Sequence, residues 1–253
     1  MKINHLLFGL GLISAGAQAQ QAPGIQNLPV AQRDYSKVTG NEYGSLTELT
    51  NGASHLLTRR PNTVGSPYAD DRWLPARLTL TNTAPLAPIL LKYNVLEHGL
   101  VMRRPAPVQD SVALDDHRVA SFVLMEPASA LGPGRERLFR RFLEGPPARQ
   151  GDYVEVLHEG RYTLLKHHEK HIKKESFQGM YSNGAPTDEI EDISEYYLRA
   201  PEGALTPVKL TLKSLQNAAP PLADALKTAA ATQKPRTEAA WATVLHAADP
   251  AAK

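Results

Sequence analysis

The amino-acid sequence predicts a mainly β protein: an antiparallel meander sheet or incomplete barrel with one or two C-terminal α-helices. Three observations carry the prediction. Beyond Gly65 the chain breaks into short runs rich in β-branched and aromatic residues, separated by turn formers about every ten residues. Several of those runs alternate apolar and polar side chains with period two, the pattern of a sheet with one buried face. Near the C-terminus the apolar period lengthens to that of an amphipathic helix.

Taken in order, Arg77 to Thr81 (RLTLT) alternates strictly, and Asn82 to Pro85 supplies a turn. Ile89 to Leu96 (ILLKYNVL) passes through Glu97-His98-Gly99 into Leu100 to Arg103, which predicts a hairpin. Val119 to Met125 (VASFVLM) is apolar on both faces and is expected at the centre of the sheet. Arg137 to Leu143 is followed by Gly145-Pro146-Pro147, and because proline has no N–H to give to a ladder the sheet must pause there. Tyr153 to Ile172 reads as the clearest hairpin. Tyr153, Glu155 and Leu157 alternate with Val154 and Val156, Glu159-Gly160 marks the reversal, and Tyr162, Leu164 and Leu165 resume the strand. Gly160 is expected to take the positive φ of a tight turn. After a polar loop containing Ser182-Asn183-Gly184-Ala185-Pro186, strands are expected around Glu195 to Arg199 and Val208 to Leu215. Leu222, Ala225, Leu226 and Ala229 then share one helical stripe, and Ala240, Trp241, Val244 and Leu245 another. Lys234-Pro235-Arg236-Thr237 separates them, with Thr237 as an N-cap and Glu238 favourable in the first turn.

The N-terminus has the grammar of a secretory signal: Lys2, an apolar run from Leu6 to Ile13 (LLFGLGLI), then small residues ending in Ala17-Gln18-Ala19. Cleavage after Ala19 would start the mature chain at Gln20. The apolar run is much shorter than the roughly 20 residues a membrane-crossing helix needs, so no integral span is expected after cleavage. The expected location is therefore outside the cytoplasm: periplasmic, outer-membrane-associated or secreted. The chain has no cysteine, which removes disulfides and a lipid-modified cysteine from consideration. Its formal charge of +2 includes Lys2, so the mature chain is close to neutral, and a nucleic-acid partner is not expected. The expected division is a signal peptide (1–19), a partly flexible lead (20–64), an antiparallel β domain (65–216) and a helical segment packed on the sheet (217–253).

Several stretches together resemble a family of uncharacterised exported β-rich proteins common in Bacteroidota. They are Gly65-Ser66-Pro67-Tyr68 with Trp73 nearby, Leu91-Lys92-Tyr93-Asn94-Val95-Leu96, Tyr153-Val154-Glu155-Val156-Leu157 with Glu159-Gly160, Leu164-Leu165-Lys166, Tyr196-Tyr197-Leu198 and Lys213-Ser214-Leu215. The resemblance spans roughly residues 65 to 248 and implies a β-rich fold and export. It implies no catalytic residue, and family members usually carry lysines or aromatics where this chain has His167, His168 and His171.

The most chemically suggestive stretch is Leu164 to Glu175 (LLKHHEKHIKKE). The zincin motif places two histidines four apart on one helical face with a glutamate beside the first. His168-Glu169-Lys170-His171 is one residue too short, and a helical pairing of His167 with His171 turns Glu169 away. On a strand, His167, Glu169 and His171 line one face while His168, Lys170 and Ile172 line the other. Residues two apart on a strand lie roughly 6 to 7 Å apart, so bringing both imidazoles onto an ion needs a bend or a ligand from a neighbouring strand. The simpler employment of the basic run is pairing with the acidic run Thr187 to Glu195 (TDEIEDISE), through Asp188, Glu189, Glu191, Asp192 and Glu195.

Other candidates weigh less. Asp70-Asp71 beside Gly65-Ser66-Pro67 offers too few spaced oxygens for a calcium loop and reads as a turn. Arg135, Arg137, Arg140 and Arg141 form a basic patch diluted by Glu136 and Glu144, read as a solvated face. Ser45 and Ser66 sit in no nucleophile elbow. Tyr93, Tyr153, Tyr162, Tyr196 and Tyr197 read as cross-strand packing. The reading therefore assigns no catalytic, cofactor-binding or metal-ligating residue and no cofactor. It expects a non-enzymatic, envelope-associated binding or structural protein with an envelope or extracellular partner. The alternatives are a small-ligand carrier with an apolar cavity in a curved sheet, and a metal-dependent hydrolase using His167 and His171.

Overall fold

The computed structural model describes Thr50 and residues 62–81, 88–104, 110–129, 133–174 and 187–249. The expected signal, nearly all of the lead, the Asn82 to Pro85 turn and the Ser182 to Pro186 loop lie outside the described residues. The strands are β1 (Thr63–Val64), β2 (Leu74–Leu80), β3 (Ile89–Asn94), β4 (Gly99–Arg103), β5 (Ser111–Ala113), β6 (Val119–Glu126) and β7 (Arg135–Arg141). They continue with β8 (Tyr153–Glu159), β9 (Thr163–His167), β10 (Lys170–Lys173), β11 (Asp188–Asp192), β12 (Glu195–Arg199) and β13 (Leu205–Val208). Among the described residues three α-helices follow: α1 (Leu212–Ala218), α2 (Ala223–Gln233) and α3 (Glu238–Ala248).

Ten strands form one antiparallel sheet in the order β13-β12-β9-β8-β7-β6-β2-β3-β4-β5. It is a pair of meanders joined where β2 lies beside β6, and it does not close into a barrel. β2 shows why the pattern works: Leu74, Ala76, Leu78 and Leu80 are buried while Arg77 and Thr79 are exposed, so one face of the strand is inside. β6 lies between β7 and β2, inside the sheet as its two apolar faces require.

The sheet curls strongly. β3 and β8 are separated by three intervening strands, which in a flat sheet would hold them roughly 19 Å apart. Yet the Tyr93 and Tyr153 rings meet edge to face with centroids 5.6 Å apart, and the Tyr153 N–H donates to the Tyr93 hydroxyl at 3.4 Å. Phe122 stacks on Phe139 at 4.8 Å between them. These four rings, all at most 1 % exposed, fill the concave face over the β2–β8 half of the sheet. Each such ring pair contributes about 0.5–1.5 kcal/mol beyond its area.

The other half of the sheet is covered by the helices. Leu164 of β9 and Leu198 of β12 pack with Leu215, Leu222, Leu226, Val244 and Leu245 in a second core. Thr211 caps α1 by accepting from the Ser214 N–H, and Thr237 caps α3 by accepting from the Ala240 N–H, as expected of Thr237. Lys234 ends α2 in the left-handed region at φ 46°.

Three expectations are corrected. The run Val208 to Leu215 is not one strand: β13 ends at Val208 and α1 begins at Leu212, because Leu212, Leu215 and Ala219 fall at helical spacing on the second core and Thr211 caps the turn. Within the next stripe Leu222 and Leu226 are buried as expected, but Ala225 is exposed and Ala230 takes its place. Gly160 does not have a positive φ. A Cβ there would lie 2.8 Å from the Asp249 carbonyl and carboxylate oxygens and from His158 Nε2, so this glycine is there for close approach. The Asp249 carboxylate accepts from the Tyr162 N–H at 2.7 Å, pinning the end of α3 to the β8–β9 turn.

The chain also leaves the large sheet earlier than the Tyr153 to Ile172 hairpin implies. β9 stops at His167, and β10 joins a separate sheet of order β1-β11-β10. There the basic and acidic runs pair antiparallel, with Lys170 opposite Asp192, His171 opposite Glu191 and Lys173 opposite Glu189. Lys173 Nζ reaches Glu191 at 2.6 Å and His171 Nε2 reaches it at 3.2 Å.

Candidate functional site

His167, the last residue of β9, and His168, which follows it, point to opposite faces of the sheet, and each meets a carboxylate supplied by β8 or the residue before it. His168 Nε2 lies 2.8 Å from Glu155 Oε2 on the concave side. Glu155 also takes a two-pronged bond from Arg137, at 2.7 and 2.8 Å. All three side chains are buried, and the cluster sits in the seam between the aromatic core and the helix-covered core. Phe139 lies beside it, 5.7 Å from the His168 ring and 5.4 Å from the Arg137 guanidinium. The seam continues through Lys166, which reaches Glu238 of α3 at 2.8 Å, and Tyr196, whose hydroxyl donates to Glu238 at 2.7 Å.

Burial would raise the Glu155 carboxyl, but the bonds from Arg137 and His168 outweigh it and hold it well below the usual carboxylate range. Burial pushes His168 down despite Glu155, which favours the neutral imidazole. A neutral His168 donating from Nε2 leaves the Arg137–Glu155 ion pair with no excess charge. Such a triad is rigid, and its members are committed to one another.

On the opposite face His167 Nε2 meets Asp152 Oδ2 at 2.9 Å, and His98 Nδ1 meets the other oxygen of Asp152 at 2.8 Å. Burial works to raise Asp152, but the His167 bond and the neighbouring His98 keep it below its ordinary value. His98 itself projects from the β3–β4 turn at φ 54°, so this contact also ties the two meanders together. Phe142 stacks on the His167 ring at 5.4 Å. Glu195 of β12 stands directly across from His167 in the ladder, and Glu169 follows it two residues on. Arg149 bridges the two carboxylates, at 2.8 Å from Glu169 and 2.6 Å from Glu195.

The sequence brackets His167, Glu169 and His171 on one strand face. The structure keeps His167 with Glu169, at 3.8 Å, and replaces His171 with Glu195, because the chain changes sheet between Glu169 and His171. The arginine patch is also corrected. Arg137 is buried on Glu155, Arg135 pairs with Glu126, Arg140 with Glu144, and Arg141 lies over the Tyr153 ring and donates to the Asp116 carbonyl. Arg135 stays exposed, as a solvated face predicts, whereas Arg137 is buried and Arg140 and Arg141 are half-buried, each on its own partner. Asp70 pairs with Arg72 and Arg137, and Asp71 accepts from Ser66, which makes that segment an internally bonded turn. Sequence reasoning missed Asp152, Glu155, Arg137, Arg149 and His98 as site residues. The signal for Glu155 was present, an acid in the middle of an otherwise apolar strand, YVEVL, which demands a buried partner.

Fold and site define an open, curled, ten-stranded antiparallel sheet with a helical cover and two carboxylate–histidine pairs back to back on one strand. The chain matches no protein-family model, no curated protein and no solved structure.

Proposed function

We propose that this chain is an exported protein of the cell envelope that works by binding a partner or by structural support, and not by catalysis. One observation carries the reading: the concave face, where a curved sheet would hold a ligand or substrate, is occupied by the chain's own side chains. Tyr93, Phe122, Phe139 and Tyr153 fill one half, the helices cover the other, and the seam between is taken by Arg137, Glu155 and His168. The signal-like N-terminus and the resemblance to exported Bacteroidota proteins support the location. No helix among the described residues is long and apolar enough to cross a membrane.

The carrier reading is the rival favoured by curvature alone. Expression of the full chain in a Gram-negative host, fractionation and mass spectrometry should find a mature protein beginning at Gln20 outside the cytoplasm. Titration of that material with a fluorescent fatty acid should give no saturable binding. Cytoplasmic retention of an uncleaved chain would sink the export reading, and one-to-one fatty-acid binding would replace the partner-binding role with a carrier.

A further inference from the structure

The geometry points to a divalent-metal site of zinc type formed by His167 Nδ1 and the carboxylates of Glu169 and Glu195, with Arg149 holding the two carboxylates when no metal is bound. The inference goes beyond the envelope-binding role and does not depend on it.

His167 is the anchor. It is 1 % exposed, and its Nε2 is committed to Asp152. Nε2 is taken up by Asp152, so Nδ1 is the ring nitrogen left to face Glu169 and Glu195. That atom is buried and has no hydrogen-bond partner. A buried ring nitrogen without a partner is costly, and a metal ion is one of the few things that resolve it. The arrangement is also the one metal-bound histidines use, in which the far ring nitrogen donates to a carboxylate that fixes the tautomer and raises the basicity of the ligating nitrogen. Phe142 stacked on the ring holds its plane.

Glu169 and Glu195 complete the set from two different pieces of backbone. Glu195 faces His167 across the β9–β12 ladder, while Glu169 lies where the chain crosses from the large sheet to the small one and accepts the Ile193 N–H at 2.9 Å through its carbonyl. One ligating atom from each of the three residues lies within 4.8 Å of the other two. Donors around a tetrahedral zinc with bonds of about 2.0–2.1 Å sit about 3.3 Å apart, so the set closes by moving the carboxylates about 1 to 1.5 Å. Both glutamates are partly exposed, so the move exchanges their bonds to Arg149 for bonds to the metal. Arg149 now occupies them: its guanidinium bridges the two carboxylates, with the Tyr197 hydroxyl also donating to Glu195 at 2.7 Å. One nitrogen and two carboxylates suit zinc better than magnesium or calcium, which prefer all-oxygen shells. Bound metal would tie the small sheet to the large one.

The test uses the full chain, purified, stripped with a chelator and titrated with zinc chloride, with magnesium chloride as control. One zinc per chain is expected by calorimetry, and zinc at a hundredfold excess over its Kd should raise the thermal midpoint by about 5 °C while magnesium does not. The double substitution Glu169→Gln with Glu195→Gln should abolish the zinc shift. Arg149→Ala should tighten zinc at least about threefold, because a competitor for the carboxylates is gone. His171→Ala should leave zinc binding unchanged. Circular-dichroism melts of the metal-free variants show that each is folded. No stoichiometric zinc, a zinc shift that survives the double glutamate substitution, weaker zinc in Arg149→Ala, or loss of zinc in His171→Ala would each overturn the site.

Discussion

Glu155 is 2 % exposed and carries two partners, so its substitution is felt as an uncompensated Arg137. Glu155→Gln is expected to lower stability at pH 7 by about 3 kcal/mol, measured by urea unfolding, in the range for breaking a buried ion pair. The pH dependence has a definite sign. The folded carboxyl lies below its unfolded value, so the unfolded chain takes up the proton first as pH falls. The Glu155 contribution is thus fully present above about pH 4.5 and is lost below it, while His168, also held low, starts a separate loss as pH falls through about 6.5. Glu155→Gln should make the lower limb shallower, leaving the share of other low-held carboxylates such as Asp152, and keep the upper one. An unchanged slope of stability below pH 4.5 in the variant would show that another carboxylate is responsible. Gly160 makes a second case. Gly160→Ala drives a methyl into Asp249 and His158 and should cost about 1–3 kcal/mol as an overpacked contact. Gly203→Ala, at φ 93° with nothing within 4 Å, should cost about 1 kcal/mol for conformation alone. Equal thermal midpoints for the two variants would remove the close-approach explanation.

Among the elements, β10 and β11 depend most on charge. Their burial alternates between exposed and half-buried with no fully buried position, so little apolar area holds them in register. Opposed charges supply what burial does not, with Lys173 and His171 both reaching Glu191. Lys173→Glu should lower the thermal midpoint, and adding Glu191→Lys should restore part of it. A double variant no better than the single one would mean the pair sets nothing. The two runs were legible as partners in the sequence because blocks of opposite charge across a loop have few other uses. The exit of the chain from the large sheet after His167 was not legible: nothing in LLKHHEKHIKKE breaks the strand pattern, and the bend follows from where β12 lies. α1 was missed for the opposite reason, since Val208 to Leu215 alternates like a strand, and only the cap at Thr211 and the second core select the helix.

For the molecule as a whole, local pattern carried the antiparallel β class and the two helices α2 and α3, because period and turn chemistry are properties of neighbouring residues. Chemistry in this chain is long-range. Glu155 meets Arg137 and His168, and Asp152 meets His167, because β7, β8 and β9 are neighbours; Glu195 meets His167 because β12 returns beside β9, and His98 reaches Asp152 because the sheet curls until β3 touches β8. The sequence could place His167, Glu169 and His171 on one strand face and ask for a bend or a neighbouring strand; the order of strands brought Glu195 across from His167 and took His171 away to another sheet. Strand alternation is written in each residue's relation to the next two, whereas strand order and curvature arise from burial summed over the whole chain, so the fold class belongs to the sequence and the constellation of the site to the tertiary structure.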